Sequence, residues 1–273
     1  MTRRVAFEEY GVPTGAPVFL LHGTPGGRLG GASMQPVFEL LGIRAIATDR
    51  PGYGGTDALP GRTVRDVAAD VLSVADTLGL DGFHVVGGSG GGPHALGVGA
   101  TSERVLGVGV LVGAAPLADD ELDGQVAFNR EVLDLLDDEE RLRKHLASGR
   151  EVLLEQGIEA LMPDAPDEDK AVRAAKADLF AAAFADALAP GIEGWLDDYL
   201  ALWQRPWGFG PSEVTAPVVW AHGDHDLNVP IAAARRCAKD LPSCTFVEWT
   251  GIGHAPTPDL VTSFFRDVLE SHR

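Results

Sequence analysis

The pentapeptide Gly87-Gly88-Ser89-Gly90-Gly91 constrains the fold more than any other part of the chain. It directly follows a short apolar run, Phe83-His84-Val85-Val86, and directly precedes residues 92–100, which read as a helix. A serine on so tight a strand-to-helix turn is held in a strained backbone conformation. Glycines two positions to either side remove side chains that would collide there. The hydroxyl then stands above the strand ends, and the helix N-terminus behind it stabilises developing negative charge. G-x-S-x-G alone also describes a plain turn or a phosphate-binding loop. The strand-turn-helix context favours a nucleophile, and the absence of a lysine near Ser89 argues against a P-loop.

The flanking segments agree with a parallel sheet. Residues 5–10, 18–21, 43–48, 83–86 and 105–112 read as strands. Short apolar runs such as Val18-Phe19-Leu20-Leu21 suit strands buried on both faces. Between them lie expected helices at 33–41 and from Thr63 onward. In the second, Val64, Val67, Val71, Val74 and Leu78 share one face, Thr63 with Asp66 resembles an N-cap, and Gly79 closes it. The β-α alternation implies helices on both faces of the sheet. Residues 117–210 break this pattern with Leu- and Ala-rich segments interrupted by Gly149, Gly157, Pro163, Pro166, Pro190 and Gly191, which predict three to five helices. Strands at 218–221 and 245–249 and helices at 231–239 and 258–270 resume it. The organisation expected is a core of residues 1–116 and 211–273 with a helical cap at 117–210.

Charge narrows the partners. The chain has 22 Lys+Arg against 40 Asp+Glu, a formal net of −18. Such a surface repels nucleic acid and anionic membranes, and no apolar run reaches the roughly 18 residues of a membrane span. No secretory signal follows the two N-terminal arginines, so a cytoplasmic protein acting on a small molecule is expected. The insertion holds 22 acids against 9 bases. It reads as a solvated helical surface, the alternative being a field that draws cationic substrates. Cys237 and Cys244 are too few for a disulfide framework and read as reduced thiols. No metal or cofactor is expected.

A nucleophilic serine needs a base and an acid to orient it, placed in loops after later strands in the order Ser, Asp or Glu, His. Both slots are filled. His222-Gly223-Asp224-His225-Asp226 follows residues 218–221, and Thr250-Gly251-Ile252-Gly253-His254 follows residues 245–249. His22-Gly23-Thr24-Pro25-Gly26 and Asp49-Arg50-Pro51-Gly52-Tyr53-Gly54 are further Gly-rich loops after strands. His22 reads as a structural hydrogen-bonding residue of its loop. His94 reads as helix packing that could line the site, His84 as part of a strand, and His145 and His272 as surface. Trp195, Trp203, Trp207 and Phe209 read as core or pocket wall.

Taken together, these landmarks resemble the α/β-hydrolase superfamily, specifically cap-bearing serine hydrolases similar to proline iminopeptidases and small esterases. The resemblance implies Ser89 as nucleophile, His254 as base and Asp226, in the pattern Gly223-x-x-Asp226, as the acid, with Asp224 a turn residue. It implies an oxyanion hole from the Thr24 and Gly90 backbone amides, no cofactor, and water as second substrate. A nucleophilic aspartate is ruled out because residue 89 is serine. The expected activity is cleavage of an ester or related acyl bond through an acyl-enzyme. The runner-up is N-terminal aminoacyl cleavage, although those peptidases carry tryptophan where this chain has Gly90. C–C or lactone hydrolysis, a slow-turnover small-molecule receptor, and a lyase or cofactor-free peroxidase are the other readings of the same scaffold.

Overall fold

In the computed structural model, residues 3–118, 121 and 125–272 are described. Among them seven strands hydrogen-bond into one sheet: β1 (Phe7–Gly11), β2 (Ala16–Leu21), β3 (Ile43–Thr48), β4 (Phe83–Gly88), β5 (Val105–Leu111), β6 (Val218–Gly223) and β7 (Cys244–Trp249). Their spatial order is β1-β3-β2-β4-β5-β6-β7. β1 runs antiparallel to β3, and every other pairing is parallel. The loops after β2, β3, β4, β6 and β7 therefore leave the same edge of the sheet, and these are the loops that carry the motifs.

Helices cover both faces, and the two-residue period of the strands divides their side chains between them. On one side Phe19 and Leu21 pack with residues of α2 (Val67–Thr77), α3 (Gly91–Gly99) and α10 (Ile231–Lys239). On the other, Val18 and Leu20 pack with α1 (Gln35–Leu41) and α11 (Pro258–Glu270). Gly109 lets α11 lie close to β5: a Cβ there would stand 2.8 Å from Phe264 Cζ and 2.8 Å from Val268 Cγ2.

Two local expectations change. The second helix begins at Val67, four residues after Thr63. The Asp66 carboxylate accepts hydrogen bonds from the Thr63 amide at 2.7 Å and hydroxyl at 2.9 Å. It thereby holds a turn that delays the helix, while Val64 is still buried. The helix expected over 33–41 is a 3-10 segment, Arg28–Met34, followed by α1.

Between β5 and β6 no strand occurs among the described residues. Six α-helical segments fill this stretch, more than expected: α4 (Ala127–Asp134), α5 (Glu139–Gln156), α6 (Ile158–Leu161), α7 (Asp167–Ala174), α8 (Ala177–Ala187) and α9 (Glu193–Tyr199). Short Gly- and Pro-bounded pieces such as α6 carry too few residues for a helical period to show. The helices share an apolar core that includes Phe128, Leu142, Leu146, Trp195 and Tyr199. Trp195 belongs to that core, with its ring stacked 5.7 Å from Phe128 and 6.4 Å from Tyr199. Trp203, Trp207 and Phe209 are partly buried and line an open groove of about 590 Å³. Both cysteines are free thiols. No helix among the described residues is long and apolar enough to cross a membrane.

Phe264 is 1% exposed and its ring is seated where Gly109 leaves room. Phe264→Ala is expected to cost about 3–5 kcal/mol, because it opens a cavity that a rigid sheet cannot collapse. Urea unfolding of the two proteins measures this difference.

Candidate active site

Ser89 sits at the turn from β4 to α3 with φ of 52°, in the left-handed region that a non-glycine residue seldom adopts. The turn is fixed from several sides. The Ser89 amide donates to Leu111 O at 2.9 Å, and the Ser89 carbonyl accepts from the amides of Gly92 at 2.9 Å and Ala114 at 3.0 Å. The glycines are sterically required. A Cβ on Gly87 would fall 2.0 Å from Gly91 O, and one on Gly91 would fall 2.1 Å from Leu21 O.

His254 and Asp226 are paired. His254 Nδ1 lies 2.7 Å from Asp226 Oδ2, and the Asp226 side chain is wholly buried. The other carboxylate oxygen, Oδ1, accepts from the amides of Asn228 at 2.8 Å and Val229 at 2.9 Å. Burial alone would raise the Asp226 pKa, but His254 and His222 outweigh it and hold the carboxyl below the usual carboxylate range. An ionised acceptor on Nδ1 leaves the Nε2 of a neutral His254 free to accept a proton. Asp224 serves elsewhere: its Oδ1 accepts from the Gly251 amide at 2.6 Å. No hydrogen bond joins Ser89 Oγ to His254 among the described residues.

The loop His22–Gly26 stands beside the turn. A Cβ on Gly23 would be 4.0 Å from Ser89 Oγ, and one on Gly90 would be 2.3 Å from Thr24 Oγ1. Thr24 thus occupies the space that any side chain at position 90 would need. His22 secures the loop as expected: its Nε2 accepts from the Arg50 amide at 3.1 Å and its Nδ1 donates to Gly23 O at 2.8 Å.

Two buried carboxylates around these loops, Asp198 and Asp169, carry no signal that a sequence reading could use. Asp198, from α9, is fully buried. It bonds to Arg50 Nε at 3.0 Å, Arg62 Nη2 at 2.5 Å, Tyr53 Oη at 2.8 Å and Thr24 Oγ1 at 2.8 Å. Burial raises its pKa, yet the two guanidiniums prevail and hold it well below the ordinary value. His94 belongs to this cluster, with Nδ1 3.1 Å from Val64 O and Nε2 3.5 Å from Asp198 Oδ1. Asp169, from α7, accepts from the amides of His254 at 2.9 Å and Ala255 at 2.8 Å. Two of the many acids of residues 117–210 are therefore structural anchors inside the molecule, a role that neither the solvated surface nor the alternative field for cationic substrates anticipates.

A cavity of about 230 Å³ opens beside the His22–Gly26 loop. Gly23 and Gly88, the neighbours of Ser89, form one end. Met34, Leu111 and the α8 residues Phe180 and Phe184 form much of the rest. Ser89 and His254 themselves are not among its wall residues, and neither is any carboxylate. Among the described residues no cluster of three or more metal-ligating side chains occurs.

The profile of the family described as "alpha/beta hydrolase fold" matches residues 16–256. Among curated proteins, the chain is 36% identical over 115 residues to a 2-hydroxy-6-oxononadienedioate/2-hydroxy-6-oxononatrienedioate hydrolase of Burkholderia vietnamiensis, covering 40% of each. It is also 36% identical over 93 residues to a proline iminopeptidase of Xanthomonas citri, covering 33% of this chain and 29% of that one. The aligned stretches thus span well under half the length of these relatives. Among solved structures, a thermophilic esterase from Thermogutta terrifontis superposes with a TM-score of 0.72 at 24% identity, covering 99% of this chain and 95% of the esterase. The enol-lactonase of Burkholderia xenovorans superposes with a TM-score of 0.68 at 17% identity, covering 98% and 96%.

The buried histidines set a pH window for stability. Burial pushes His94 down from 6.5 to about 4, opposed by Asp198 and aided by Arg50. Burial, with His272 nearby, pushes His84 down to about 4. Between those values the unfolded chain binds protons that the folded one does not, so stability rises with pH there. The denaturant midpoint should fall steadily as pH drops from about 6.5 to about 4. Depressed carboxylates such as Asp198 add their loss only below the ordinary carboxylate range. Denaturant titrations across this range measure the profile.

Proposed function

The chain belongs to the alpha/beta hydrolase fold family, and within it we propose that the protein is a serine hydrolase of small, neutral acyl esters. Ser89 attacks the carbonyl while His254 takes its proton through Nε2. Asp226 holds the imidazole by Nδ1 and stabilises its cation. The amides of Thr24 and Gly90 receive the developing oxyanion. Collapse of the tetrahedral intermediate expels the alcohol, protonated by His254, and leaves an acyl-enzyme that water then hydrolyses by the same steps. The six helices between β5 and β6, within residues 117–210, act as a cap over the core.

The observation that carries this reading is the strained Ser89 turn on the same sheet edge as the buried His254–Asp226 pair. A left-handed serine costs free energy that a merely structural turn would avoid by using glycine.

Ester is favoured over aminoacyl cleavage by the charges. Capture of a free amino terminus needs a carboxylate facing the substrate. The cavity beside Gly23 and Gly88 has none in its wall, and Asp198, the buried acid nearest the Thr24 loop, is engaged by two guanidiniums. Gly90 points the same way, since Thr24 Oγ1 fills the space a larger residue would take.

Ser89→Ala is expected to lower kcat on p-nitrophenyl acetate by on the order of 10⁴ or more with the fold retained. Asp226→Asn should cost far more activity than Asp224→Asn, because only Asp226 fixes the His254 tautomer. Steady-state kinetics on the four proteins decide both points. Near-native turnover by Ser89→Ala would overturn the reading, and the reverse ranking of the aspartates would move the acid to Asp224.

A further inference from the structure

Arg50 is completely buried, yet it does more than pair with Asp198. Its Nη1 donates to His22 O, and its Nη2 donates to Gly23 O at 2.9 Å. The Gly23 carbonyl belongs to the same peptide unit as the Thr24 amide. That carbonyl also accepts from His22 Nδ1 at 2.8 Å. One peptide group therefore receives a charged donor and a neutral donor at its oxygen. Its own N–H, at Thr24, makes no hydrogen bond to backbone or side chain among the described residues, where Thr24 bonds only through its hydroxyl. Hydrogen bonds that share a peptide polarise one another, so donors at the oxygen make the N–H a stronger donor.

Charge supports the same arrangement. Two guanidiniums, Arg50 and Arg62, share the single Asp198 carboxylate, while burial keeps the neighbouring His94 neutral at pH 7. The cluster of these residues carries a net positive charge directly behind the loop. Such a charge, fixed and shielded from water, favours a developing oxyanion in front of it.

We propose that Arg50 is a positioning residue for the oxyanion hole: it orients and polarises the Gly23–Thr24 peptide so that the Thr24 amide binds the transition-state oxyanion more strongly than the substrate carbonyl. The proposal rests on the assignment of Ser89 as nucleophile and of the Thr24 amide to the hole. Arg62 supplies an internal control. It is equally buried and bonds to the same carboxylate, but its other side-chain hydrogen bond is to Gly194 O at 3.3 Å, and it makes no hydrogen bond to the His22–Thr24 loop among the described residues.

The test compares Arg50→Lys, Arg50→Met and Arg62→Lys on p-nitrophenyl acetate and its thiono analogue. A thiocarbonyl sulfur is a weak hydrogen-bond acceptor, so weakening the hole's donors costs the oxygen ester more. The Arg50 variants should lose kcat on the oxygen ester by on the order of tenfold, with KM little changed. Their oxygen-to-thiono ratio of kcat/KM should fall, and Arg50→Lys, which keeps the charge, should fall less than Arg50→Met. After loss of Arg50, Asp198 still has Arg62, Tyr53 and Thr24, so the carboxylate stays compensated. If Arg50→Met does not fold, the Arg50→Lys and Arg62→Lys comparison stands alone. Arg62→Lys should lower Tm without moving the ratio. Equal ratios in the Arg50→Lys and Arg62→Lys proteins would overturn the proposal. Turnover retained by Ser89→Ala, or no turnover of the oxygen ester by the unaltered protein, would overturn the underlying assignment instead.

Discussion

Asp198 ties the two halves of the molecule together. It comes from the helical insertion, yet its carboxylate is buried against Arg50, Tyr53, Arg62 and Thr24, all from the sheet's edge loops. A buried carboxylate is tolerated only when charged partners and hydrogen bonds replace water. Here two guanidiniums and two hydroxyls do so. The cost of separating them falls on any motion that lifts α9 from the core. The His22–Gly26 loop, the segment from Asp49 to Tyr53 and α9 are consequently held in one arrangement. Asp169 makes a second tie of the same kind, from α7 to the amides of His254 and Ala255. The helices between β5 and β6 thus hold both the Thr24 loop and the His254 loop through buried carboxylates, from positions remote from those loops in sequence.

Much of the fold was legible because its signals are local. Runs such as Ile43–Thr48 and residues 218–221 are too short and too apolar to be surface helices, and Gly87–Gly91 marks a turn that needs glycine on both sides. The helix after Thr63 was placed too early because the Thr63–Asp66 pair reads as an N-cap. In the structure it closes a turn ahead of the helix. The His254–Asp226 pair was legible from the order of the loops. What remained hidden depends on long-range contact. Nothing local separates Asp169 and Asp198 from the 20 other acids of residues 117–210, since burial of a carboxylate is decided by partners far away in the chain.

The same contrast explains the treatment of charge. The sequence carries a net of −18, with most of the excess acid in residues 117–210, and reads as an acidic exterior. Yet the interior beneath the His22–Gly26 loop is locally positive, with Arg50 and Arg62 against Asp198. Short-range buried charges act with little screening, whereas the surface acids are damped within about 10 Å at 0.1 M salt. The charge environment of the His22–Gly26 loop is therefore set by the few buried groups more than by the formal charge of the chain.

The most direct measurement is the site of covalent capture. The protein is mixed with p-nitrophenyl acetate, quenched in acid within the first turnovers, digested and sequenced by mass spectrometry. The account predicts a single acetyl group on Ser89, absent from the Ser89→Ala protein and accumulating further in Asp226→Asn if deacylation is slowed more than acylation. An acetyl group on another residue during productive turnover, or hydrolysis with no acyl-enzyme on Ser89, would contradict it.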